Sequence, residues 1–188
     1  MFSLSKLSVA LLVSGVALSA FAQQKLVPAQ SEIVFISKQM GVAVDGRFKK
    51  FDAQLSFDPA KLDTSKINFT VDMASATLGV PESDAELPKP TWFSIAKFPQ
   101  ATFASSSIKA LGGGKFDVAG KLSIKGQARD VVVPVTMVQT GATTVATGQL
   151  PIKRLAFKIG EGEWADTSMV ADDVQVKFKF SLTGVGKL

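Results

Sequence analysis

The sequence predicts an all-β chain of about eight antiparallel strands at hairpin spacing, closed into a barrel and interrupted by a short helical crossover. Three observations carry that expectation. Apolar residues after residue 30 recur at every second position, so each segment has one dry face and one wet face. Glycine-centred turns at Met40-Gly41, Gly112-Gly113-Gly114 and Thr140-Gly141-Ala142 separate the segments. The main break in the pattern runs from Pro81 to Pro99.

The chain has 188 residues, and its first part reads as an address. Met1 to Lys6 is basic, Leu7 to Ala17 is apolar or small, and Ala20-Phe21-Ala22 is an A-x-A cleavage signal. The apolar run is short for a membrane span. A signal peptide cleaved after Ala22 is therefore expected, leaving residues 23–188 as one exported, periplasmic domain. With no Cys in the chain, a lipidated cysteine cannot anchor it.

The first strands are expected at Ile33 to Lys38 and Val42 to Phe48, joined tightly at Met40-Gly41. Phe51, Ala53, Leu55 and Phe57 share one face of the next, and Ile67, Phe69, Val71 and Met73 share one face of the strand after it. Prolines from Pro81 to Pro99 exclude a central strand, and short helices fit Asp84 to Leu87 and Thr91 to Lys97. Ala101 to Ile108 and Lys115 to Ile124 flank the triple glycine, and Val131 to Val138 and Val145 to Ile152 follow. Val174, Val176, Phe178 and Phe180 form the dry face of the last strand. A barrel is preferred to an open sheet because long strand edges must be hidden.

Composition removes most chemistry. Without Cys or His there is no Cys-His nucleophile, no Ser-His-Asp triad and no thiolate or imidazole zinc site. Glu161, Glu163 and Asp166 cluster in a Gly-rich loop, but their spacing matches no calcium loop, and polar-loop carboxylates are ordinarily solvated. No metal site, cofactor or catalytic residue is expected. The formal charge of +5 is dispersed, with no nucleic-acid motif. Arg47, Lys49 and Lys50 read as a solvated hairpin edge. The strand faces are rich in Phe, Val, Leu and Ile with Gly and Ala between, which by pattern alone is the ordinary signal of a filled core.

An ordered set of segments then points to a family. Ser31-Glu-Ile-Val-Phe-Ile36 precedes Val44-Asp-Gly-Arg-Phe48, and Val71-Asp-Met-Ala-Ser75 precedes the crossover. Trp92-Phe93 and Lys97-Phe98-Pro99-Gln-Ala-Thr-Phe103 follow, then Val118-Ala-Gly-Lys-Leu-Ser-Ile-Lys-Gly126. Ile152-Lys-Arg154 with Phe157 and Ile159-Gly160, and Asp173-Val-Gln-Val176, complete the set. Over Ser31 to Leu182 the chain resembles the YceI-like, polyisoprenoid-binding periplasmic proteins. The resemblance implies a lipocalin-like barrel with an elongated isoprenoid-type lipid in its interior, and it reverses the filled-core reading. The family's first-strand His is missing here. The crossover Glu82-Ser-Asp84-Ala-Glu-Leu87-Pro-Lys-Pro90, with Glu163-Trp164, resembles members found beside membrane b-type cytochromes. A quinone is thus a second implied ligand, and a membrane b-type cytochrome a possible partner.

The candidate tail-lining residues are Phe35, Phe57, Phe69, Phe103, Phe116 and Phe178. Trp164, in its Gly-rich loop, could cap the cavity mouth or simply cover the barrel end. Arg154 has a planar fork suited to a pyrophosphate or a quinone carbonyl, or to a loop carboxylate that holds the barrel closed. The reading that follows is a non-enzymatic lipid carrier. The alternative is a closed barrel acting through its surface loops.

Overall fold

The period-two segments become strands in the computed structural model, which describes residues 23–188. The expected signal peptide lies outside these residues. The strands are β1 Lys25–Leu26, β2 Glu32–Gln39, β3 Val42–Phe48, β4 Phe51–Ser56, β5 Lys66–Asp72 and β6 Ala76–Thr77. They continue as β7 Gln100–Gly112, β8 Lys115–Ile124, β9 Gln127–Thr140, β10 Thr143–Lys153 and β11 Asp173–Thr183. All pair antiparallel in one curled sheet, ordered β4-β5-β7-β8-β9-β10-β11-β2-β3-β6, with β1 added beside β11.

The sheet has 11 strands among the described residues rather than about eight. Two of the additions, β1 and β6, are too short to show alternation, and sequence periodicity cannot detect them. β7 also runs beyond Ile108, through register shifts at Ser105/Ser107 and Ala110/Gly112 that carry the chain past its polar serines. The Met40-Gly41 turn has φ of 47° and 81°, the left-handed pair that a two-residue hairpin needs.

The crossover differs from expectation. Its one α-helix among the described residues, α1, is Pro81–Asp84, with Pro81 in the first turn, where a missing N–H costs nothing. Beyond it the chain runs in turns, with Trp92 N–H donating to the Lys89 carbonyl at 3.0 Å and Lys97 N–H to that of Ser94 at 2.9 Å. Pro88 and Pro90 remove donors, and Ser94 at φ 52° prevents a helix from forming over Thr91 to Lys97.

No ladder joins β3 to β4, the strands at the sheet's seam. Side chains and short pieces close it. At one end the Gln24 amide imitates a strand partner: its Nε2 donates to the Phe57 carbonyl at 2.6 Å, and its Oε1 accepts from Phe57 N–H at 2.8 Å. At the other end β6 pairs with β3, and Lys49 N–H donates to the Ser75 carbonyl at 3.2 Å. Two apolar cores sit at the barrel's ends. One gathers Phe57, Phe116, Ile108, Met137 and Leu182, and the other Met73, Leu87, Phe93, Phe157 and Ile159.

Replacing Gln24 with Ala removes both bonds from a backbone pair that has no other ladder. The expected loss is about 1–3 kcal/mol in urea unfolding, with amide exchange accelerated first at Phe57.

Candidate functional site

Between the two cores lies a cavity of about 320 Å³. Its wall is almost wholly apolar, drawn from β2 to β5, β7 to β11, the crossover and the loop after β10. Strand alternation accounts for this. On β2, Ile33, Phe35, Ser37 and Gln39 face inward, and on β11 Val174, Val176, Phe178, Phe180 and Leu182 do so. The uncharged polar members Ser37, Gln39 and Ser83 belong to the end of β2 and to α1, so polarity gathers toward the mouth.

Among the sequence candidates, Phe35, Phe69, Phe103 and Phe178 lie on this wall. Phe57 and Phe116 do not reach it. They meet edge to face at 5.4 Å and fill the closed end, both buried. Phe57 lies just beyond the end of β4, where the Gln24 clasp turns it into the packed end. Sequence reasoning passed over Phe180, which stacks on Phe69 at 4.4 Å and on Phe178 at 4.8 Å, and Phe48, which lies 5.3 Å from Phe35. Period-two counting had placed Phe180 on the dry face, and that signal could have found it.

The aromatic rings leave the interior open because three of them cover glycines on a neighbouring strand. Phe35 is paired with Gly46, and Phe178 with Gly148. A Cβ at Gly46 or Gly148 would run into the Phe35 or Phe178 ring, and one at Gly120 into the Phe103 ring. Each ring therefore lies along the wall in the space a side chain would fill, rather than across the lumen.

Arg154 also reaches the cavity wall, but its fork is engaged elsewhere. Its Nε donates to the Ala171 carbonyl at 3.0 Å, Nη1 to Ile159 and Gly160 at 2.9 and 3.0 Å, and Nη2 to Trp164 and Val170 at 2.7 and 2.6 Å. A guanidinium has five donors, and all are spent on backbone carbonyls. No donor remains for a pyrophosphate or quinone oxygen, and no carboxylate pairs directly with the fork. Arg154 stands in a 3-10 turn at the end of β10, with its side chain only 2% exposed, and it staples the loop from Ile159 to Ala171. Burial lowers its pKa, and the charge of Asp172 opposes that shift. A Cβ at Gly160 would strike Nη1, so the staple requires glycine there.

The stapled loop brings Trp164 against Trp92 of the crossover, ring centroids 5.5 Å apart, and both rings line the cavity. The Trp92 Nε1 is buried and has no hydrogen-bond partner among the described residues. Gly160 and Glu161 N–H groups donate to the Thr91 carbonyl at 2.8 and 2.9 Å, joining the two covers. Two of the three loop carboxylates, Glu161 and Asp166, are already engaged. Glu161 accepts from the buried Lys125 Nζ at 2.8 Å, and Asp166 accepts from the Ser168 N–H and hydroxyl. In the crossover, Asp84 accepts from the Thr77 hydroxyl and the Leu78 N–H, which lowers its pKa and pins α1 beside β6. Glu86, the acid on the wall, pairs with Lys89 at 2.5 Å.

A curled antiparallel sheet, packed at one end, covered at the other by the crossover and the loop after β10, and hollow between them, defines a β-barrel container. The chain belongs to the YceI-like family, whose domain matches residues 24–182. It is similar to the UPF0312 protein of Ectopseudomonas mendocina, 31% identical over 72% of this chain and 75% of that one. It is also similar to one of Vibrio cholerae, 27% identical over 78% and 83%. Among solved structures it resembles Burkholderia cenocepacia BcnA, with TM-score 0.80 and 49% identity over 83% of this chain and 98% of that one. The fold also matches a polyisoprenoid binding domain from Saccharophagus degradans, with TM-score 0.70 and 16% identity over 86% and 98%.

Two outcomes follow from this geometry. Gly46→Ala must displace the Phe35 ring, whose atoms are the nearest neighbours of the new Cβ. Uptake of an apolar fluorescent probe should fall, with stability lowered by only about 1–3 kcal/mol; unchanged uptake would contradict the wall argument. The Lys125 bond holds the Glu161 carboxyl below its ordinary value of 4.5. A lowered carboxylate stabilises the fold above its ordinary value and ceases to do so as pH falls through its folded value. Protection factors of the Gly160 and Glu161 amides, corrected for intrinsic exchange, should therefore fall on acidification below pH 4.5, and Glu161→Gln should abolish that pH dependence.

Proposed function

We propose that this protein is a non-enzymatic container that sequesters or carries an isoprenoid-type lipid, and that it works in the periplasm after removal of residues 1–22. The observation that carries the reading is the hollow apolar interior held open by the Phe-over-Gly pairs. Each methylene buried there contributes about 0.8 kcal/mol, so a branched hydrocarbon tail is a natural occupant. The family relationship and the fold shared with a polyisoprenoid binding domain add support. Export is supported by the basic start, the short apolar run and the A-x-A signal of residues 1–22.

The head group rests at the mouth in this reading, near Ser37, Gln39 and Ser83. Because Arg154 is fully engaged, the head group gains no charge-assisted bond from it, and a quinone or an isoprenol is favoured over a pyrophosphate. The open interior disfavours the alternative of a closed barrel acting only through surface loops, alone or with a membrane b-type cytochrome.

The test uses the purified mature protein. Its extracted lipids are identified by mass spectrometry, and delipidated protein is titrated with geranylgeraniol while tryptophan emission is followed. The chain's two tryptophans both line the cavity, so their emission reports occupancy. Co-purified isoprenoid together with a saturable emission change is expected. Repeated recovery of empty protein that leaves geranylgeraniol unbound would overturn the proposal.

A further inference from the structure

The wall of the barrel has a second weak line, away from the mouth. β9 and β10 pair from Thr143↔Thr140 to Gly148↔Val135, and there the ladder between them stops. Both strands nevertheless continue. β9 stays paired with β8 back to Gln127, and β10 stays paired with β11 out to Lys153. Continued register would set Gln149 opposite Pro134 and Pro151 opposite Val132. Proline has no N–H to donate, so both strands place a non-donor where the missing rungs would be. Beyond the split, the Arg129 guanidinium reaches across to the Ala156 carbonyl at 2.9 Å and ties the far end.

The slot between these ties is thin. Its cavity side carries Leu150 and Ile152, which are half-buried although they face inward. At the edge of the slot, over the last formed rungs, a shallow depression is lined by Pro134 and Gln149 together with Phe116, Thr136, Thr147 and Gly148. Val135 and Phe178 line both the cavity and this depression, so a single layer of side chains separates them. The prolines also make the slot a poor place for a strand to add, since they interrupt the hydrogen-bonding edge.

We propose that the β9–β10 slot is a lateral portal through which the distal end of a long isoprenoid tail leaves the cavity. The inference rests on the lipid-container reading and specifies how that site handles chain length. At about 320 Å³, the cavity is near the small end of the roughly 300–1,000 Å³ found for small-molecule pockets. A short chain fits inside, and a long one must emerge somewhere. A packed core closes one end of the barrel, the crossover and the loop after β10 cover the other, and the polar groups of the wall gather at that covered mouth. The slot is where an apolar path meets the surface through one side-chain layer. Its occupant is the cavity's own ligand, because the two spaces share Val135 and Phe178.

The test uses the whole mature protein and two isoprenols, one of farnesol length and one several times longer, each with a diazirine at its tail terminus. After irradiation, adducts are mapped by peptide mass spectrometry. The short probe is expected to label the inner wall. For the long probe, labelling should shift to Pro134, Gln149 and Pro151. Long-probe adducts confined to the inner wall, or found at the mouth on Met40, Ser83 or Trp164, would overturn the portal while leaving the container reading intact. Failure of both probes to enter, seen as unchanged tryptophan emission, would overturn the container reading itself and the portal with it.

Discussion

A barrel lined with large apolar residues ordinarily fills its own interior, and the rest of this structure depends on how that filling is avoided. Protein interiors pack to crystal-like density, and a Phe side chain projecting across a narrow barrel would close it. Here Phe35, Phe103 and Phe178 lie over Gly46, Gly120 and Gly148 on adjacent strands. The glycines supply the volume that the rings occupy, so aromatic area is buried on the wall without being spent on the lumen. The closed end behaves differently. There Phe57 and Phe116 meet edge to face with no glycine beneath them, and the interior is solid.

The same economy governs the polar groups around the mouth. Its two covers, the crossover and the loop after β10, are irregular backbone whose carbonyls must find donors or face a desolvation penalty. Arg154 satisfies five of them with one side chain, Lys125 holds the Lys158 carbonyl and Glu161, and the Thr91 carbonyl accepts two N–H groups. Arg154 and Lys125 are thereby consumed in building it. A residue that reads in sequence as a ligand-facing arginine is structural because its neighbours in the chain, Ile159 to Ala171, curl back around its guanidinium.

Much of this was legible in the sequence, and the illegible remainder has physical causes. Strict alternation located the long strands and placed Phe35, Phe69, Phe103 and Phe178 on the inward face, because a period of two survives any tertiary context that buries one face. It could not tell wall from plug. Phe57 shares the alternation of β4 and differs only in lying beyond its last paired residue. The fate of Arg154 was also hidden, since it depends on carbonyls up to 17 residues away. The glycines carried more information than their turn-forming role: Gly46 and Gly120 sit inside strands, where glycine is otherwise unfavourable and marks a close approach. Pro134 and Pro151 likewise announced in sequence that β9 and β10 could not be central partners along their whole length.

The hollow also sets an energetic condition on the fold. Unfilled apolar volume destabilises a core by about 24 cal/mol per Å³ relative to a filled one. An apolar cavity of this kind does not recover the loss by admitting water. Contacts away from the hollow therefore carry more of the fold, the Gln24 clasp and the Arg154 staple among them. A ligand that fills the middle binds the folded chain and not the unfolded one, so its binding energy adds directly to the stability of the fold.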